Sequence, residues 1–219
     1  MLALSLLITT LAMAQDTVDI GVIKDQDIKV VQKVMFPKEG RSEIGFHLGW
    51  MPFDPFLTTP NLQISFDLHQ SETLAFGFVG GSGWGFKNRY FKELESPENL
   101  RTPYAFRYVA SGLAGAQWSP IYGKMSVRGD RVLHYDGYLT ARAGVTLESS
   151  VIPAGGVPLA PTLSFGFGTR IFASEKGVLR IEIRDDFLLQ HRPRVQSTAL
   201  KQNVNLQVGW TFMSPVKGS

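Results

Sequence analysis

The stretch RSEIGFHLGW, residues 41–50, alternates apolar and polar side chains. Ile44, Phe46, Leu48 and Trp50 fall on one side of an extended chain, and the residues between them fall on the other. A period of two is the pattern of a β-strand whose two faces meet different surroundings. The apolar face of such a strand either packs on a soluble core or faces lipid, and in the second case the polar face lines a barrel.

The same alternation continues along most of the chain. It predicts seven further strands, at residues 61–70, 73–80, 104–118, 134–148, 162–171, 178–187 and 201–212. Eight strands of about ten residues have the length that crosses a bilayer when tilted. The segment 104–118 is so rich in Ala and Gly that its pattern does not decide which residues face which side.

The connections between these strands alternate in length. The long ones are residues 51–60, 82–103, 148–161 and 190–199, and the short ones are 70–72 and 172–177. Long loops at one end and short turns at the other are typical of outer-membrane barrels. We therefore predict an all-β fold, a single closed antiparallel up-and-down transmembrane β-barrel of about eight strands, with long external loops and short periplasmic turns.

The polar faces of the strands predict a filled lumen. Small residues alternate there with charges that balance, five positive against five negative, which suits a narrow interior where each charge needs a partner. With the histidines included, the predicted polar network consists of Glu43, His47, Asp67, His69, His134, Asp136, Arg142, Arg170, Arg180, Glu182, Arg184, Asp186 and Lys201. Side chains fill the interior of an eight-stranded barrel, so we expect a plugged lumen.

The start of the chain predicts export. A Leu-rich run ends in Ala12-Met13-Ala14, a pattern that signal peptidase accepts. The predicted organisation is a signal peptide at 1–14 cleaved before Gln15, a periplasmic segment at 15–40, the barrel at 41–213 and a short C-terminal tail at 214–219. Export and the strand pattern together predict a location in the outer membrane of a Gram-negative cell.

Composition excludes several other classes of protein. The 219 residues include no Cys, which excludes a disulfide-stapled scaffold and Cys-based metal or redox chemistry. A net charge of +3 is too small to indicate a nucleic-acid partner. No apolar run reaches the roughly 20 residues that a membrane-spanning helix needs. We expect no cofactor and no metal site.

Four segments carry a resemblance to a known family. They are GWMPFDPF (49–56), LHQSETLAF (68–76), QWSPIYGKMSV (117–127) and LHYDGYLTARAG (133–144). The sequence resembles the outer-membrane β-barrel domain family of myxobacteria and related bacteria from roughly residue 28 to residue 213, and departs from its pattern at Gly137. The resemblance implies a barrel in the outer membrane and implies no reaction.

Two groups of side chains raise functional alternatives. His47, Asp67 and His69 are lumen-facing on neighbouring strands, an arrangement compatible with acid–base or metal chemistry, but paired charges and histidines in a filled lumen need no catalytic explanation. The loop 82–103 carries four aromatic residues that could form an external contact, namely Trp84, Phe86, Tyr90 and Phe91.

The leading hypothesis is a non-enzymatic barrel that acts as a structural or interaction component of the envelope, with a subunit of a larger envelope-spanning assembly as one form of that role. A narrow channel and an outer-leaflet lipid-modifying enzyme are the alternatives. The expected partners are outer-membrane lipid and lipopolysaccharide, the barrel-assembly machinery during insertion, and other envelope proteins.

Overall fold

The alternation that begins at residue 41 becomes strand structure along nearly its whole length. The computed structural model describes residues 36–99, 102–127, 131–151, 158–192 and 197–215. In chain order the elements are β1 (Ser42–Met51), β2 (Leu57–His69), β3 (Leu74–Gly83), β4 (Phe86–Lys87), α1 (Arg89–Leu94), β5 (Phe106–Val127), β6 (Arg131–Ser150), β7 (Leu159–Phe172), β8 (Gly177–Arg192) and β9 (Ser197–Met213). The two-residue β4 and the six-residue α1 lie between β3 and β5.

The eight long strands form a closed ring. Each pairs antiparallel with its neighbours along the chain, and β1 pairs with both β2 and β9, so that Ile44 lies opposite Phe66 on one side and Phe212 on the other. Closure gives the strand backbones hydrogen-bonding partners on both sides and leaves the sheet without long open edges. The predicted closed antiparallel up-and-down barrel is confirmed.

The two faces of the wall are inverted relative to a soluble protein. Ile44 is 45% exposed while its neighbour Glu43 is 0% exposed, and the same contrast separates Ile64 at 54% from Ser65 at 2%. Apolar side chains therefore cover the outside and polar side chains point into the interior. A soluble sheet would bury the apolar face instead.

The two ends of the barrel differ. The end that carries the chain segments 70–73 and 173–176, called here the turn end, has the short connections that the sequence predicts. At the other end, the loop end, three of the predicted long loops are shorter than expected. The loop 51–60 is shortened because β2 begins at Leu57, and the loop 148–161 because β6 runs through Ser150 and β7 begins at Leu159. The loop 190–199 is shortened because β8 runs through Arg192 and β9 begins at Ser197. The band of apolar side chains around the outside of the barrel is called here the apolar belt. Beyond it the strands continue with polar residues, so alternation of apolar and polar residues no longer reveals them in the sequence.

The irregular pairing of β5 explains why the sequence did not predict which of its residues face the lumen. Tyr108 is 4% exposed and Trp118 is 52% exposed, although an even separation places two residues on the same face of a regular strand. The pairing with β6 shifts register between Tyr108 and Ala110 and again between Trp118 and Ile121. A β-bulge adds a residue to one strand and so reverses which positions face inward.

Parts of the predicted domain organisation fall outside the described residues. These are the signal peptide at 1–14, the segment 15–35 and residues 216–219 of the tail. The last five residues of the predicted periplasmic segment, 36–40, are described and lie against the turn end of the barrel.

Candidate functional site in the barrel interior

The barrel interior holds most of the residues predicted for the polar network. Those buried at 6% exposure or less are Glu43, His47, Asp67, His69, His134, Asp136, Arg142, Arg170, Arg180, Glu182, Arg184 and Asp186. The thirteenth, Lys201, is half-buried near the loop end. Because inward positions come from every second residue of several strands, charges that are far apart in the sequence meet across the lumen.

Arg180 lies at the centre of the charge cluster. Its Nη1 donates to Asp67 Oδ2 at 2.7 Å and to Glu43 Oε1 at 3.3 Å, and its Nη2 donates to Gln117 Oε1 at 2.9 Å. Its Nε donates to the Tyr138 hydroxyl at 3.2 Å, and the guanidinium carbon lies 4.8 Å from the centre of the Tyr138 ring. One side chain of β8 is thus tied to β1, β2, β5 and β6.

Glu182 collects donors from the opposite direction. It accepts hydrogen bonds from the Tyr138 hydroxyl at 2.9 Å, from Arg142 at 3.3 Å and from Arg180 at 3.4 Å. Glycine provides the space for this packing, since a Cβ at Gly168 would overlap the Tyr138 ring. Charge-assisted bonds of this kind are the stronger class in proteins.

A second layer of charges lies closer to the turn end. Arg170 Nη1 is 3.3 Å from Asp136 Oδ2, and Arg170 Nε is 3.6 Å from Glu43 Oε2. His69 Nε2 is 2.9 Å from the same Glu43 oxygen. Glu43 therefore links this layer with the one around Arg180.

Lys38 joins the same layer from outside the barrel wall. Its Nζ lies 2.6 Å from Asp136 Oδ2, and the residue is 3% exposed. Burial lowers the pKa of the Lys38 ammonium from its ordinary value, and the charge of Asp136 opposes that shift. The sequence did not reveal this residue as a network member, because it lies in a charged segment before the first alternating strand.

The loop end of the lumen holds a separate set of ion pairs. Arg184 Nε is 3.0 Å from Asp186 Oδ1. Lys201 Nζ is 3.0 Å from Glu148 Oε1 and 3.3 Å from Asp54 Oδ2. Neither Glu148 nor Asp54 was predicted as a network member, because Glu148 is the last residue of a predicted strand, where a loop begins, and Asp54 lies in a predicted loop.

Neutral polar side chains fill the space between the charges. Several of them lie at positions that alternation predicts to face inward, but none was included in the predicted network. Amides and hydroxyls do not stand out in a sequence unless their partners are known, yet here they form hydrogen bonds across the lumen. Those that are buried include Asn61, Gln63, Gln117, Thr146, Thr162, Gln190, Asn203, Asn205 and Gln207. With three fully enclosed arginines and Tyr138 among the largest buried side chains, the interior is packed rather than open.

His134 corrects the prediction that every lumen histidine joins the polar network. Within the described residues it has no ion pair, and its ring meets Phe36 edge-on at 5.1 Å and Tyr122 at 6.2 Å. The reason is its position beside the turn end, where aromatic side chains rather than carboxylates close the barrel.

The three lumen residues considered for acid–base or metal chemistry, His47, Asp67 and His69, are enclosed and engaged with other side chains. His47 Nε2 lies 2.8 Å from Ser65 Oγ, but both side chains are enclosed in the lumen, so no substrate acyl group can approach the hydroxyl. Asp67 is engaged by Arg180 and His69 by Glu43. Among the described residues no three His, Asp or Glu side chains are grouped as a metal site would require.

The aromatic residues of the β3–β5 connection divide into two kinds. Trp84, Phe86 and Tyr90 are exposed, at 53%, 61% and 68%. Phe91 is 0% exposed and packs on Leu57 in a small core under the loops, so the prediction that it forms an external contact is wrong. It is buried because α1 turns this one ring toward the barrel.

The comparisons with known proteins concern the fold. The chain matches no family model and no curated protein. Among solved structures, Neisserial surface protein A aligns with a TM-score of 0.49 at 12% identity, covering 78% of this chain and 95% of that one. Ail, the attachment invasion locus protein of Yersinia pestis, aligns with a TM-score of 0.42 at 14% identity, covering 80% of this chain and 99% of that one. The N-terminal β-barrel domain of Pseudomonas aeruginosa OprF aligns with a TM-score of 0.46 at 10% identity, covering 80% of this chain and 98% of that one.

The predicted resemblance to the myxobacterial barrel family stays a prediction. Of the segments that carry it, Asp54 binds Lys201 at the loop end, and Asp136 binds Lys38 and Arg170 in the lumen.

No helix in the described part of the chain has the length and apolar character needed to span a bilayer.

Proposed function

We propose that this chain is a non-enzymatic β-barrel of a Gram-negative outer membrane, and that it acts as a structural or interaction component of the envelope. The observation that carries the proposal is the inverted wall, apolar on the outside and filled with paired charges on the inside. The outer surface supports membrane insertion, and the filled interior argues against transport.

The apolar outer surface is too extensive for a soluble monomer. Large apolar side chains lie exposed on all of the long strands, whereas soluble proteins rarely expose contiguous apolar patches beyond a few hundred Å². Closure of the ring satisfies the strand hydrogen bonds, which a bilayer interior demands. Trp50 and Trp210 are exposed near the ends of β1 and β9, where aromatic residues of a membrane interface are expected.

The exposed aromatic residues of the loop end support an interaction role. Trp84, Phe86 and Tyr90 project from the β3–β5 connection, which would face outward from the cell. External loops are where small barrels place their binding residues. Lipopolysaccharide, or another envelope protein, is the partner that we propose for this surface.

Conductance separates this function from a narrow channel. Purified protein in a planar lipid bilayer should show no stable single-channel current, since the Arg180 and Arg170 layers leave no continuous water column. In the source cells, the protein should fractionate with the outer membrane. Steady ion conductance would contradict the structural role and support a narrow channel. A monomer that stays soluble without detergent would contradict the proposed location in a membrane.

A further inference from the structure

Five residues close the turn end of the barrel without belonging to its wall. Residues 36–40, called here the strap, precede β1 and are outside the strands. The Phe36 ring stacks on Phe172 at 5.2 Å with an interplanar angle of 4°. It packs on the cluster of Phe172, Val178 and Met213, which lie where β7, β8 and β9 reach the turn end. Phe36 therefore covers the mouth of the lumen.

The second element of the closure is electrostatic. Lys38 reaches into the lumen to Asp136, which also binds Arg170. The strap thus adds a cation to a layer in which Asp136 and Glu43 already face Arg170. Asp136 is thereby paired with one cation from the strap and one from β7.

The strap is held by a small number of polar anchors. The carboxylate of Glu72, in the β2–β3 turn, accepts from the backbone N–H of Lys38 at 3.0 Å and of Glu39 at 3.1 Å. Arg41 donates to Pro37 O at 3.1 Å, and Gly40 N–H donates to His69 O at 2.9 Å. None of these bonds is a rung of the pairing between neighbouring strands, so the strap can leave while the ring of strands stays intact.

We propose that the strap is a releasable lid on the turn end of the lumen. In the closed state described here, Phe36 and Lys38 exclude water from Asp136, His134 and the inner end of β9. When the strap lifts, these groups face solvent in a short vestibule. The vestibule ends at the Arg180 layer, so lifting the strap does not create a pore.

The chain offers a clean reporter for this lid, because it contains no Cys. Thr211, on the inner face of β9, is 0% exposed and its hydroxyl donates to Val178 O beneath Phe36. Thr211→Cys places one thiol under the lid. A charged methanethiosulfonate reagent, applied to protein in detergent micelles, measures how often the lid opens, independently of the membrane role.

The anchor to remove is Glu72, which touches the strap but not the lumen. Glu72→Ala should accelerate modification of Thr211→Cys roughly 10- to 100-fold, as expected when charge-assisted hydrogen bonds that hold a closed state are lost. Glu39→Gln is the matched control, since the Glu39 side chain is exposed and forms no hydrogen bond with the described residues. It should leave the rate unchanged.

A second thiol distinguishes lid opening from general loosening. Thr162→Cys lies in the lumen toward the loop end, where it is 4% exposed. Its modification rate, and the unfolding temperature of the barrel, should be the same with and without Glu72. Equal rates at Thr211→Cys in the two backgrounds would overturn the proposal, as would a parallel acceleration at Thr162→Cys. Should Thr211→Cys not assemble, His134→Cys reports on the same mouth.

Discussion

At the scale of single residues, the interior depends on carboxylates that each serve more than one cation. Glu43 faces Arg170 and Arg180, and Glu182 faces Arg142 and Arg180. Sharing compensates for the desolvation of so many charges in a space closed to bulk water. It also means that the loss of one carboxylate affects several partners together.

Glu182→Gln tests this sharing. The amide keeps the shape of the side chain but leaves Arg142 and Arg180 short of one negative charge, so the free energy of unfolding should fall by about 3–5 kcal/mol, or less if water enters. Urea unfolding in detergent micelles, followed by the gel shift between folded and heated protein, measures the change. Glu98→Gln, at an exposed loop position, should have no effect, and equal midpoints for the two variants would refute the account.

At the scale of elements, β5 and β6 approach each other closely because of glycine. A Cβ at Gly115 would overlap the carbonyl oxygen of Ala141 and come within 2.6 Å of the Arg142 Cα, whereas a Cβ at Gly112 would meet nothing nearer than the Phe78 ring at 3.6 Å. The first glycine is inward-facing and required by the strand spacing. The second is on the outer face and has room.

Gly115→Ala and Gly112→Ala should therefore differ. The first should lower the free energy of unfolding by roughly 1–3 kcal/mol, because backbone atoms of β6 must shift to admit the methyl group. The second should be neutral or slightly stabilising, since Ala loses less conformational entropy than Gly. Thermal denaturation of both variants in micelles decides, and a similar loss at both sites would contradict the packing argument.

The same strand shows where sequence reasoning reaches its limit. The inward and outward faces of seven strands could be predicted from alternation alone. Where apolar and polar residues alternate strictly, all the apolar side chains lie on one face, which must be the outer one. In β5 the bulges at Val109 and after Trp118 reverse the facing, and Ala and Gly supply no contrast to reveal it.

The contacts of Lys38 and the burial of Phe91 could not be predicted either, since both depend on where segments outside the alternating strands settle. Arg180, by contrast, was identified as a lumen residue from its position alone. Its acceptors on four other strands appear only once the register between the strands is known.

At the scale of the whole molecule, the apolar belt should separate membrane-facing positions from exposed apolar positions elsewhere. Ile64→Arg places a charge on the belt and should cost about 2–4 kcal/mol if the site lies near the bilayer midplane. Phe53→Arg alters a side chain that is 71% exposed in the β1–β2 loop, outside the belt.

Assembly into lipid vesicles, read from the fraction that resists unfolding on an unheated gel, should fall for Ile64→Arg and remain unchanged for Phe53→Arg. In detergent, where micelles adapt to a surface charge, the difference should shrink. Equal assembly of the two variants in vesicles would mean that the outer face of β2 is not in contact with lipid.

The closed ring also sets the time course of folding. Arg180 and Glu43 are separated by 137 residues, and Asn61 and Asn205 by 144 residues, yet each pair forms a hydrogen bond across the lumen. These contacts cannot form until β9 has met β1, because the two halves of the network are attached to opposite ends of the chain. We therefore expect folding to be slow, because the topology is dominated by non-local β pairing. If the seam and the ion pairs break together, unfolding faces a high kinetic barrier, and we expect the assembled barrel to persist once formed.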